Sequence, residues 1–143
     1  MWIVFSLLAA LAAAVVVTLS KAGIKNVDSS LAFAIQSVLI VVVAWSVVAW
    51  QGNLPDVSGI DRRSWLFLIA AGVITCISSL LSFRALSLGN ASQVSPLDKV
   101  SLIFAIALAA VFLKEKVSWQ VLVGAGLMVI GAVVIAMAKP AGE

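Results

Sequence analysis

Apolar residues run along this chain in long, nearly unbroken blocks, separated by short polar clusters, with neither the 3.6-residue stripe of a soluble helix nor the alternation of a half-buried strand. A helix crossing a bilayer needs about 20 such residues at 1.5 Å each. Five blocks qualify, and the pattern predicts helices over about 2–22, 31–50, 65–88, 91–113 and 118–138, all within one domain spanning 1–143. Gly23 is expected to stop the first helix and Asp28 with Ser29 to cap the second. QGNLPDVSGIDRRS reads as a solvent loop, and Ser118 as the cap of the last helix, which Lys139 and Pro140 close. Gly89-Asn90 is the one turn signal between the third and fourth blocks, so a tight helical hairpin is expected there.

Composition strengthens this all-α integral membrane reading. The chain is 64% hydrophobic and 10% charged, with a mean hydropathy of +1.23. There is too little polar sequence to cover a soluble core. The net charge of +3 comes from scattered basic residues flanking apolar runs, which suits a lipid bilayer and not nucleic acid. A lone cysteine, Cys76, excludes an internal disulfide, and the absence of histidine removes the usual metal ligands and acid–base groups, so no metal or cofactor is expected. The amino terminus lacks a basic n-region and is expected to be a span, not a signal peptide.

With five spans the termini fall on opposite sides. Side A holds the amino terminus and the loops after the second and fourth spans; side B holds the other two loops and the carboxyl terminus. Trp2, Trp50, Trp65 and Trp119 all fall at the side A boundary, where indoles favour the headgroup region. Lys and Arg are almost evenly split. Side A has Arg62, Arg63, Lys114 and Lys116; side B has Lys21, Lys25, Arg84, Lys99 and Lys139, or three once the intramembrane-looking Arg84 and Lys99 are set aside. Such a balance leaves two readings open: a fixed orientation set by something subtler, or dual topology with antiparallel pairing.

SPLDKVS, residues 95–101, interrupts the fourth span with a proline and two ionisable groups. Asp98 and Lys99 are expected roughly 5–6 Å from the midplane. A charge there costs a few kcal/mol on insertion scales (about 2.5–3.5) and should face a partner or a wet cavity. Arg84 is a candidate partner for Asp98, with Lys99 left as the free cation; an Asp98–Lys99 pair is geometrically poorer. Pro96 cannot donate to the Ser92 carbonyl and predicts a kink. Lys99, Asp98, Arg84, Gln36, Ser95, Ser101 and Lys21 are the candidate lining of a small-molecule cavity, against the blander reading of interhelical glue. Ser95 and Lys99 also have dyad spacing, but the adjoining proline and the lack of an oxyanion hole argue against an enzyme. In the last span Gly124 and Gly131 stand seven apart on one face, a spacing that suits close approach of another helix, within the chain or from a second subunit.

Several stretches resemble the EamA repeat of the drug/metabolite transporter superfamily: SKAGIKNVDSSLAFAIQS, then FRALSLGNAS, the P-[LI]-[DR]-[KR]-x-S motif at Pro96–Ser101, and LKEKVSWQVLVG, similar to the family's LGE-x-[LI]-S…G. The resemblance covers nearly the whole chain. Most members carry two inverted repeats; this chain resembles the single-repeat, five-helix bacterial and archaeal type. That resemblance implies an inner-membrane half-transporter of small metabolites, working by alternating access as an antiparallel homodimer, with Gly124 and Gly131 similar to the dimerisation glycines of small multidrug resistance proteins. The first span lacks the embedded acid of those proteins, and Gln36 stands where the family often has arginine. The competing expectation is a membrane scaffold or a partner subunit for another half-repeat chain.

Overall fold

The computed structural model describes residues 1–138, and the expected closure of the last span by Lys139 and Pro140 lies outside them. Among the described residues there is no strand. The helices are α1 (Trp2–Gly23), α2 (Ser29–Gln51), α3 (Arg62–Leu88), α4 (Ala91–Asp98), α5 (Ser101–Phe112) and α6 (Trp119–Met137). Counting α4 and α5 as one, five segments are long and apolar enough to span a bilayer. The protein is a multi-pass membrane protein, as the apolar blocks predict.

Helix ends follow from the need to satisfy the backbone groups a helix leaves without partners. Asp28 caps α2: its Oδ1 accepts from the backbone N–H of Ser30 at 2.8 Å and Leu31 at 3.2 Å. Ser118 Oγ accepts from Val121 N–H at 3.4 Å and caps α6. The start of α3 differs from expectation. Asp61 Oδ2 accepts from Arg63 N–H at 3.0 Å and Ser64 N–H at 3.1 Å, so the helix begins three residues before Trp65, with two arginines in its first turn.

Two C-terminal ends also differ from the sequence pattern. Gly23 remains right-handed (φ −71°), and the chain runs on through a 3₁₀ turn, Ile24–Asn26, before extending at Val27. The left-handed stop is instead Gly52 (φ 76°) after α2, where Gly52 N–H bonds Ala49 O and Asn53 N–H bonds Val48 O, the paired bonds of a Schellman cap. After α5 the left-handed residue is Lys114 (φ 54°), at the place where the LGE motif has glycine.

The fourth span, Ala91–Phe112, tightens just after the proline, with Lys99 and Val100 still in right-handed helical backbone. The α-helical ladder is interrupted between α4 and α5 at Lys99–Val100, three residues after Pro96. Lys99 N–H bonds Pro96 O, Val100 bonds Leu97 O, Leu102 bonds Lys99 O and Ile103 bonds Val100 O, all at 3.0–3.1 Å and all reaching three residues back instead of four.

By its contacts the chain divides into a segment 19–87 and a second unit of residues 1–18 with 88 onward. In the segment the buried residues are Ile24, Ser29 and Leu86, all at the side B end, beside a tilted Phe33–Phe83 ring pair with centroids 5.5 Å apart. In the second unit α6 packs against α4 and α5, with Ala125 and Ala132 as its buried residues. Most other large apolar side chains are exposed on the isolated chain, as surfaces for lipid or another helix are.

The backbone N–H bonds at Asp28, chiefly those from Leu31 and Ser30, hold its carboxyl below the ordinary aspartate range. A depressed folded-state pKa contributes stability above the unfolded value and loses it as pH falls through the folded one. Asp28→Ala should therefore lower the melting temperature in detergent at neutral pH, and its gap from the parent should close as pH drops below the carboxylate range. Asp28→Asn, which caps without a charge, should keep its stability across that range in the same thermal scans.

Candidate functional site

The break in the fourth span is the centre of the candidate site. The span Ala91–Phe112 has 22 residues, so its midpoint lies near Ser101–Leu102 and Lys99 about 4 Å from it. Discontinuous helices at this depth recur in secondary transporters, because half-helix ends present carbonyls or N–H groups that a continuous helix would use internally. Here Lys99 is the C-terminal capping residue of α4, beside the carbonyl end of the helix, where a cation is favoured by the helix dipole. Asp98 is the last residue of α4 and Ser101 the first of α5. Asp98 and Lys99 are both exposed on the isolated chain, while Ser95 and Pro96 are half-buried.

The remaining expected site residues belong to segment 19–87. Arg84 lies near the side B end of α3, and its positive charge adds to the lowering of the Asp28 carboxyl, after the backbone bonds and the Ser30 hydroxyl. It thus lies near the α2 cap. Gln36, half-buried on α2, edges a shallow depression of about 390 Å³ whose other lining residues are apolar: Leu39, Ile40, Val43 and Ala44. Lys21 Nζ donates to the Leu86 carbonyl at 2.6 Å. Leu86 is among the last four residues of α3, whose carbonyls have no partner within the helix, so Lys21 caps α3 from α1.

Gln93 was absent from the expected site, yet it plays the same part in the other unit. Its Nε2 donates to Ala138 O at 2.7 Å and so caps α6 from α4. Nothing in the sequence around Gln93 signals this, since the acceptor lies 45 residues away. A second depression, about 410 Å³, lies between α5 and α6. Ile103, Ile106, Ala110, Leu122 and Gly126 line it, without a polar side chain.

The two rows of small residues on α6 separate cleanly. Ala125 and Ala132 are buried, at 7% and 6% exposure. Gly124 and Gly131 precede them by one residue, about 100° round the helix, and a Cβ added at either glycine would meet no atom within 4 Å. The alanine face carries the packing within the chain, and the glycine face is open.

Comparison with known proteins agrees with this architecture. No solved structure matches the chain. A Sinorhizobium protein described as an uncharacterized transporter in the cobO 3′ region is 36% identical over 136 residues, covering 95% of this chain and 96% of its own. An uncharacterized protein of Methanocaldococcus jannaschii, MJ1333.1, is 32% identical over 79 residues, covering 55% of this chain and 58% of its own. Residues 1–137 match the EamA-like transporter family, and the chain belongs to that family.

Proposed function

We propose that the protein is a secondary transporter of the inner membrane that moves small anionic or zwitterionic metabolites, such as amino acids, by alternating access between two antiparallel copies. The observation that carries this reading is the charged, broken helix at mid-span. An isolated protomer exposes Lys99 at a depth where a charge costs about 2.5–3.5 kcal/mol on insertion scales. A second copy and a water-filled cavity between copies remove that cost. In this reading Lys99 contacts the anionic group of the substrate, Asp98 is the proton carrier within the bilayer, and Ser95 and Ser101 supply hydroxyls along the same span. Pro96 keeps the helix open beside them. Transport makes no or breaks no covalent bond, so the protein is not an enzyme in this scheme.

The open glycine face of α6 supports pairing, because close backbone approach by a second helix needs the space that Gly124 and Gly131 leave. The balanced Lys/Arg distribution supports insertion in both orientations. The rival reading, a scaffold or partner of a different half-repeat chain, uses the same face but needs a second protein in fixed stoichiometry.

Topology decides between them first. In a Cys76→Ala background with one cysteine in the 52–61 loop, an impermeant thiol reagent should label about half the chains in intact cells and all of them after permeabilisation. Complete or absent labelling before permeabilisation would sink the antiparallel homodimer. Gly131→Ala should weaken dimerisation of the purified protein in light scattering while leaving its helical circular dichroism unchanged, since an added Cβ meets no atom within 4 Å in the protomer. Lys99→Ala should abolish uptake of radiolabelled amino acids into proteoliposomes at unchanged expression; retained uptake would remove Lys99 from the mechanism.

A further inference from the structure

The depression between α5 and α6 lies wholly within one unit of the chain, and its walls belong to those two helices and the turn that joins them. α6 packs closely on α4 and more loosely on α5, and a groove opens along the looser contact. α5 contributes Ile103, Ala107 and Ala110, and α6 contributes Leu122, Ala125 and Gly126, both rows at the three- and four-residue spacing of one helix face. The inner end, at Ile103, stands just past the middle of the fourth span, and Val117, in the turn before α6, lines the outer end. At 1.5 Å per residue the run from Ile103 to Phe112 covers about 13 Å, close to half of a hydrocarbon core about 30 Å thick. The groove is therefore about one leaflet long, and it lies in the side A leaflet.

The chemistry of the walls selects what fills it. No polar side chain lines the groove, about 410 Å³, so water gains no partner there, and an empty groove would forfeit dispersion contact along both helices. At its mouth the turn carries Lys114, Glu115 and Lys116, all exposed, and the exposed Trp119 follows at the start of α6. The turn thus holds a surplus of positive charge at the headgroup level, where an indole is also favoured. Lys114 is left-handed (φ 54°), a conformation that glycine takes freely and lysine does not, so a cation stands there against the local backbone preference. An apolar slot one leaflet long beneath two lysines and a tryptophan matches a phospholipid of net negative headgroup, with an acyl chain in the slot and its phosphate at the lysines. A second copy has a different face to meet. Gly126 is two residues, about 200° of rotation, from Gly124, so the slot lies on the opposite side of α6 from the open glycine row.

We propose that the α5–α6 groove is a binding site for one anionic phospholipid in the side A leaflet. The site does not depend on the protein moving a solute, and its test needs no transport assay. The purified chain in mild detergent is titrated with phosphatidylglycerol and, separately, with phosphatidylcholine, and bound lipid is counted per chain by native mass spectrometry. The parent chain should retain one phosphatidylglycerol, bound about tenfold more tightly than phosphatidylcholine. The double variant Lys114→Ser, Lys116→Ser should bind the two lipids equally, at the weaker affinity. Gly126→Leu, at a position where an added Cβ meets no atom within 4 Å, should put its side chain in the slot and weaken both lipids about tenfold with unchanged circular dichroism. Equal retention of the two lipids by the parent, or phosphatidylglycerol binding that survives both variants, would overturn the site. Loss of the dimer in light scattering on Gly126→Leu, with lipid binding unaltered, would overturn it too and assign the slot to a second copy. If Gly126→Leu loses its helical signal, the lysine variant decides alone.

Discussion

In hydrocarbon there is no water to accept what the backbone offers, and this shapes every part of the protein. Each peptide N–H and carbonyl within the bilayer must find its partner in the chain, so the spans are helices and their difficulties gather at the ends. The starts of α2, α3 and α6 are solved locally, by Asp28, Asp61 and Ser118, each a short acceptor one residue before its helix. The finish of α2 is also local, through the left-handed Gly52. Two side B finishes are handled differently. Lys21 supplies the cap of α3 and Gln93 the cap of α6, each from another helix, so these caps also hold tertiary structure together.

Against that economy, an interruption of the ladder at mid-span needs a reason. Pro96 removes one donor, and the ladder answers with a short run of three-residue bonds just after it. The tightened bonds on either side of the break keep the N–H groups of Lys99 and Val100 partnered, so the backbone survives the interruption with little exposed polarity. What the break changes is the side chains. It places Lys99 at a carbonyl end, where its charge is favoured, and Asp98 at the same end, where a negative charge is the costlier of the two. For the transporter proposed above, this pair of opposed charges suits a site that holds and releases an ionic solute.

The spans were legible from their length and apolarity alone, because the bilayer imposes one strong requirement that composition cannot hide. Asp28 and Ser118 were legible as caps because capping is local chemistry. Asp61 could have been found by the same rule, but the arginines after it made the stretch look like loop. The glycine rule misplaced the end of α1, since nothing near Gly23 shows that a 3₁₀ turn will follow in its right-handed form. The break at Lys99 was located only approximately. Proline marks where a bond is lost, while the ladder tightens where neighbouring turns can accommodate it, here three residues later. Lys21 was legible as a polar group near the membrane but not as a cap, because its acceptor stands 65 residues away.

The α6 helix carries the argument for a second copy further than the sequence could. A row of small residues is ambiguous on its own: alanines and glycines at sevenfold spacing serve contacts within a chain or between chains equally well. On α6 the two rows stand one residue apart. The alanines are spent on α4 and α5, and the glycines beside them face open space. In a bilayer an apolar surface facing lipid costs little, so exposure alone demands no partner. Glycine is the poorer choice for such a surface, since it weakens the helix by roughly 0.5–1 kcal/mol relative to alanine and adds no packing in return. In the proposed dimer, two glycines in register on the exposed face would be where the second helix approaches, and the nearly balanced charge of the loops is compatible with a copy inserted the other way up.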